Sequence, residues 1–184
     1  MKRIFFALIF LFFSSLCFSE LNLDIGINGG IEQNIYDARE ESFKAKFQYG
    51  NGFNSYIRAV FFRYVGVEFG FPGFFYTYSS DSSGDYYYPE KIKIPWNLKF
   101  LFMISYKGFN FEAGGGLEFP YYILASYYSP RYIILGFSFL GGVSYQFTER
   151  FSLGIRFNVA FYSDEYTSLN NSIYYLLNMS YRIF

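Results

Sequence analysis

From Leu21 onward, apolar and polar residues alternate with a period of two, almost to the end of the 184-residue chain. Leu21, Leu23, Ile25 and Ile27 alternate with Asn22, Asp24, Gly26 and Asn28. Phe109, Phe111, Ala113, Gly115, Leu117 and Phe119 alternate with Asn110, Glu112, Gly114, Gly116 and Glu118. Phe151, Leu153, Ile155, Phe157, Val159 and Phe161 alternate with Ser152, Gly154, Arg156, Asn158, Ala160 and Tyr162. Successive side chains of a strand point to opposite faces, so this period, carried by Phe, Tyr, Ile and Val, marks strands. No segment after residue 20 sustains helical spacing. The chain reads as all-β.

Turn signals divide it into eight strands, at about 21–30, 53–63, 66–76, 92–105, 109–119, 132–147, 151–162 and 172–184. Their connections alternate in length. Tyr64-Val65, Tyr106-Lys107-Gly108 and Thr148-Glu149-Arg150 are tight, whereas 31–52, 77–91, 120–131 and 163–171 are long and polar or Tyr-rich. This pattern predicts an eight-stranded antiparallel transmembrane β-barrel with short periplasmic turns and long extracellular loops. Both chain ends then lie on the short-turn, periplasmic side. Residues 42–49 also alternate (Phe43, Ala45, Phe47, Tyr49), but a ninth wall strand would put the next termini on the wrong side for closure. They are read as a strand-like extension within the first long loop.

Alternation alone does not say which face meets solvent, and composition decides it. Charged residues are only 16% of the chain and aromatics 27%, against about 25% charged in an ordinary soluble domain. The polar face is mostly Gly, Ser and Asn, which suits the cramped interior of eight strands. The apolar face carries Phe, Ile, Leu and Val at nearly every position, as a lipid-facing band requires. Phe74, Phe75, Tyr76 and Tyr78, with Tyr121, Tyr122, Tyr174 and Tyr175, cluster near strand ends like interfacial aromatic girdles.

The first residues read as an address. Lys2 and Arg3 precede the apolar run Ile4 to Phe13, and Cys17-Phe18-Ser19 offers a small-x-small cleavage site. The run is shorter than the roughly 20 residues of a spanning helix, so residues 1–19 are expected to be a secretory signal peptide and 20–184 the barrel domain. A second reading makes Cys17 the lipid-bearing residue of a lipoprotein. Without Lys2 and Arg3 the chain has 13 basic and 15 acidic residues.

On these features, residues 20–184 resemble the small eight-stranded outer-membrane β-barrel proteins of diderm bacteria, the group that includes OmpX-, OmpW- and OmpA-barrel-like proteins. The resemblance implies residence in the bacterial outer membrane, contact with outer-membrane lipid and a monomeric barrel. It also implies that the terminal segment Ile173 to Phe184 is read by the barrel-assembly machinery, with Tyr181, Ile183 and Phe184 as the assembly signal. Here Phe184 falls out of phase with Tyr181 and Ile183, on the face of Asn178, Ser180 and Arg182.

Nine ionisable residues are expected to point inward: Asp24, Arg58, Glu68, Lys93, Lys99, Glu112, Glu118, Arg156 and Arg182. Isolated ions in a low-dielectric interior are costly, so they should pair and plug the lumen; a narrow ion path is the alternative. The chain has no His and one Cys, which removes His-assisted catalysis, His metal ligands and an intrachain disulfide. Ser79, Ser80, Asp81, Ser82, Ser83 and Asp85 offer neither a base-assisted nucleophile nor a dedicated Ca²⁺ spacing. Gly114-Gly115-Gly116 and Gly141-Gly142 read as bends or small-residue gaps in the wall. No cofactor, metal or enzymatic activity is expected, and the absence of a basic cluster argues against a nucleic-acid partner. Tyr86, Tyr87, Tyr88, Tyr127 and Tyr128 are the candidates for loop contact with an extracellular ligand, since Tyr combines contact area with a hydrogen-bonding tip. The functional expectation is a structural or surface-interaction role. The alternatives are a narrow pore or transporter for small hydrophobic or ionic solutes, and a secreted soluble lipocalin-like binding barrel.

Overall fold

The computed structural model describes residues 21–36, 46–80, 87–124, 132–133, 135–162 and 171–184. Its strands are β1 (Asn22–Tyr36), β2 (Lys46–Phe61), β3 (Val65–Ser80), β4 (Tyr87–Ile94), β5 (Asn97–Tyr106), β6 (Phe109–Glu118), β7 (Tyr121–Leu124), β8 (Tyr132–Ile133), β9 (Gly136–Gln146), β10 (Phe151–Tyr162) and β11 (Asn171–Arg182). β4 and β5 form one wall strand interrupted at Pro95-Trp96, and β6 and β7 one interrupted at Phe119-Pro120, where proline removes a ladder donor. β8 and β9 likewise act together. The wall is therefore eight strands, all antiparallel.

The ring closes. Following register partners from Asp24 gives Arg58, Glu68, Lys99, Gly116, Ser138, Ala160, Ser172 and finally Asn34, back on β1. The return point lies ten residues further along β1 than the start. Such a stagger tilts the strands steeply and leaves room inside only for side chains.

Several strands run past the boundaries expected from turn signals. β1 continues through Ile31–Tyr36 and β2 begins at Lys46, so the expected loop 31–52 is largely wall. Within 42–49, residues 46–49 belong to β2, paired to Gln33–Tyr36 of β1; 42–45 lie outside the described residues. The first strand is expected to end at Gly30. Instead, a Cβ at Gly30 would run into the Tyr175 carbonyl oxygen, so that glycine permits a close approach of β11. Gly114 and Gly116 do the same against β5, where a Cβ would lie 2.8 Å from the Leu101 Cα and 2.7 Å from the Lys99 Cα, respectively. Similarly, β3 reaches Ser80, β4 starts at Tyr87, and Tyr121–Leu124 is strand, shortening the expected loops 77–91 and 120–131. The tight connections are Phe62–Tyr64, Lys107-Gly108 and Phe147–Arg150.

Two expected girdle residues lie inside. Phe75 and Tyr174 are buried, while Phe74, Tyr76 and Tyr175 face outward. The cause at Phe75 is a bulge: the β2–β3 register shifts between Phe53 and Ser55, opposite Pro72-Gly73, and the phase of β3 inverts beyond it. At Tyr174, alternation with Leu176 and Asn178 outweighs position at the strand end. The side chains of Tyr78 and Tyr122 lie outside the described set.

Exterior and interior chemistry are inverted relative to a water-soluble protein. Phe102 is 71% and Phe139 65% exposed, whereas Glu68 is 2% and Lys93 1% exposed. Outward aromatics pair across strands, as in Phe53–Phe74 at 5.3 Å and Phe157–Tyr175 at 5.4 Å, both edge-to-face. A continuous apolar exterior around a closed hydrogen-bonded ring is what hydrocarbon requires of a spanning sheet.

Candidate functional site

The lumen contains the only dense chemistry among the described residues, and register explains how it assembles. Asp24, Arg58, Glu68 and Lys99 are successive register partners on β1, β2, β3 and β5, an inward row of alternating sign. Glu112 on β6 and Arg156 on β10 are both register partners of Gly142 on β9. With no side chain at Gly142, the acid and the base meet over the intervening strand, Nε to Oε1 at 2.5 Å and Nη2 to Oε2 at 3.0 Å.

These rows converge in a quartet. Arg58 donates to Glu68 at 2.7 and 3.1 Å and lies 2.9 Å from Glu112. Arg156 donates to Glu68 at 2.8 and 3.2 Å as well as to Glu112. Two guanidiniums and two carboxylates thus alternate with no net charge, the fork geometry of Arg serving each carboxylate in turn. The Tyr56 ring, with centroid distances of 4.4 Å to Arg156 and 5.0 Å to Arg58, stacks beside both cations. Its hydroxyl accepts from Asn178 at 2.9 Å, and Asn178 also donates to Asn28 at 2.8 Å.

A second cluster lies nearer the long-connection end. Lys93 bridges Glu32 at 2.7 Å, donates to Ser172 at 3.2 Å and hydrogen-bonds the Tyr174 hydroxyl. Its ammonium sits 4.4 Å from the Tyr162 ring centroid and 4.9 Å from that of Tyr174. Glu118 accepts from Asn158 at 2.9 Å and Tyr162 at 2.8 Å and lies 3.3 Å from Lys99. At the short-turn rim, Arg182 pairs with Asp24 at 3.1 Å and stays partly open.

All nine expected lumenal residues therefore lie inside or at the rim, each within an ion pair. Glu32 is not among the nine, because it lies beyond the expected end of the first strand at residue 30. Continued alternation through Gly30, Glu32 and Asn34 is the signal that identifies it. With Glu32 the described side chains of the lumen comprise five acids and five bases, where the shorter strand leaves one base in excess. Replacing Lys93 by Met is expected to strand the fully buried Glu32 and to cost about 3–5 kcal/mol, read from urea unfolding of the reconstituted barrel.

Packing leaves little free space. Two cavities of about 20 Å³ flank the quartet, one lined by Asp24, Asn178 and Arg182, the other by Asn97, Glu118 and Asn158. Each is large enough for about one water molecule. Among the described residues, no group of three or more His, Cys, Asp or Glu is placed to hold a metal ion.

The other expected site residues are placed less completely. Tyr87 and Tyr88 belong to β4, paired with Ser80 and Ser79, rather than to a free loop; Tyr86, Tyr127 and Tyr128 lie outside the described residues. At the carboxyl end, Tyr181, Ile183 and Phe184 are exposed, and the last residues are tied to β1 by Ile183 N–H to Leu23 (2.7 Å) and Leu23 N–H to Phe184 (3.0 Å).

No protein-family model and no curated protein matches the chain. Solved structures do. The Neisserial surface protein A aligns over 86% of this chain and 96% of its own, with TM-score 0.64 at 8% identity. A major outer membrane protein from Thermus thermophilus aligns over 89% and 100%, with TM-score 0.56 at 12% identity. The attachment invasion locus protein Ail of Yersinia pestis aligns over 87% and 98%, with TM-score 0.50 at 15% identity. At such identities the likeness is one of fold. The chain has the closed eight-stranded antiparallel architecture of the small outer-membrane β-barrels.

Proposed function

We propose that this protein is a non-conducting outer-membrane barrel whose lumen is a structural plug and whose specific contacts are made at its long-connection end. The observation that carries this reading is the Arg58–Glu68–Arg156–Glu112 quartet, which joins β2, β3, β6 and β10 across the interior with cavities of only about 20 Å³ on either side. A hydrated ion crossing it would have to displace several charge-assisted hydrogen bonds at once. On this reading residues 1–19 are a cleaved signal peptide, Tyr181, Ile183 and Phe184 belong to the assembly signal, and both termini are periplasmic. Residues 37–45, 81–86, 125–131 and 163–170, with Tyr86, Tyr127 and Tyr128 among them, then form the surface that meets a partner. A chain without His is better suited to contact than to acid–base chemistry.

Planar-bilayer recording of the purified mature barrel is expected to show no conductance steps, and steady single-channel openings would overturn the reading. Heat-modifiable migration on a denaturing gel is the companion check for a folded barrel. One observation favours transport of hydrophobic solutes through the wall instead. Among the described residues the β6–β9 ladder ends at Glu118↔Gly136 and pairing is next seen at Tyr121↔Ile133, with Phe119-Pro120 outside the strands. Vesicles carrying the barrel, if they take up a small hydrophobic dye faster than protein-free ones, would support that path.

A further inference from the structure

We infer that the short-turn end of the barrel is a collar for anionic phospholipid headgroups, built from Arg63, Lys107 and Arg150. The inference rests on the membrane-spanning reading above. Each tight turn presents one of these cations: Arg63 in Phe62–Tyr64, Lys107 in Lys107-Gly108 and Arg150 in Phe147–Arg150. All three are exposed, and among the described residues none of them is in an ion pair. The lumen differs in kind, because each of the five bases described there has a carboxylate partner. Glu149 is the only acid among the described turn residues.

Lys107 and Arg150 each touch an outward-facing aromatic, and Arg63 stands between two in the chain. Phe62 and Tyr64 flank Arg63 in sequence and are exposed. The Lys107 ammonium lies 5.2 Å from the Tyr106 ring centroid, and Arg150 donates to the Tyr181 hydroxyl at 3.3 Å. Amphipathic rings at headgroup level with long cations reaching just beyond them are the arrangement of a membrane interface. Backbone conformation points the same way. Phe62 and Arg63 have φ of 53° and 63°, left-handed values for which a tight hairpin prefers Asn or Gly. This turn instead carries a ring and a guanidinium at its tip.

Charge complementarity selects the occupant. In sequence, the stretches 37–45, 81–86, 125–131 and 163–170, which follow the strand ends opposite the tight turns, contain seven acids and three bases. The balance of charge therefore favours the short-turn end for anionic headgroups, and the attraction is local because salt screens it within about 10 Å.

The test uses the mature barrel folded into vesicles of phosphatidylcholine alone or mixed with phosphatidylglycerol. The lipid retained by the barrel after mild detergent extraction is then counted by native mass spectrometry. Wild type is expected to retain phosphatidylglycerol over its bulk proportion by about fivefold or more. The triple variant Arg63→Gln, Lys107→Gln, Arg150→Gln should fall to the bulk proportion, and each single variant to an intermediate value. High salt before extraction should reduce the enrichment. Equal enrichment in wild type and the triple variant, or no enrichment in a barrel that inserts normally, overturns the collar alone. Failure of the wild type to insert into either vesicle overturns the membrane reading and the collar with it. If the triple variant does not fold, the three single variants decide, and unchanged retention in all of them overturns the inference.

Discussion

Replacing Arg156 by Met is expected to lower the unfolding free energy of the barrel by about 3–5 kcal/mol, among the largest effects of any single substitution in this chain. Arg156 is 3% exposed and serves two carboxylates, Glu68 at 2.8 Å and Glu112 at 2.5 Å. Removing it leaves Glu112 with Arg58 alone and concentrates two negative charges on one guanidinium in a tightly packed lumen. A methionine fills most of the volume, so the loss measures charge rather than cavity. The double variant Arg156→Met, Glu112→Gln removes one charge of each sign and should be more stable than Arg156→Met. That ordering separates an ion-pair network from simple packing, because two unrelated losses would add. Urea unfolding in phosphatidylcholine vesicles provides the measurement, with Trp96, the only tryptophan, on the outer face as reporter. A double variant less stable than the single would refute the quartet as an energetic unit.

The second large effect contrasts two adjacent glycines. Gly142→Ala is expected to destabilise by about 2–3 kcal/mol, the range for disrupting a buried charged hydrogen bond. Gly141→Ala, by contrast, should be neutral or stabilising by about 0.5 kcal/mol through the entropy of the unfolded chain. A Cβ on Gly142 would stand 2.7 Å from the Glu112 Oε1 and 3.0 Å from both the Arg156 Cγ and the Ile155 carbonyl oxygen. The carboxylate is a flexible tip, but it is held by Arg58 and Arg156 and can move only by lengthening those contacts. A Cβ on Gly141 meets nothing within 4 Å, because it points outward. Equal effects of the two substitutions would mean that strand propensity, not the crossing ion pair, sets the requirement for glycine.

Much of this molecule is legible residue by residue. Ile25, Ile27, Phe109, Phe111, Ile155 and Phe157 announce the outer face, and Asp24, Glu68, Glu112 and Arg156 the inner one, because the pleat alternates side chains wherever a strand is regular. The same rule fails where regularity breaks. Phe75 turns inward because a bulge at Pro72-Gly73 inserts a residue, and nothing local distinguishes that Pro-Gly from a turn. Glu32 is hidden for the opposite reason, since the strand runs on past its expected end at Gly30, a glycine that allows β11 to approach.

What the amino-acid sequence determined by itself is the class of object: strands of two-faced character, apolar outward and polar inward, whose number and turn spacing allow a closed barrel. Which charges meet was decided only by the tertiary structure. Arg156 finds Glu112 forty-four positions away, across Gly142, and Lys93 finds Glu32 at a separation of sixty-one. The alternation that sorts faces is a property of each strand's own backbone. The pairing of inward groups depends on register and on the ten-residue stagger of the ring, and these exist only once the last strand has closed on the first.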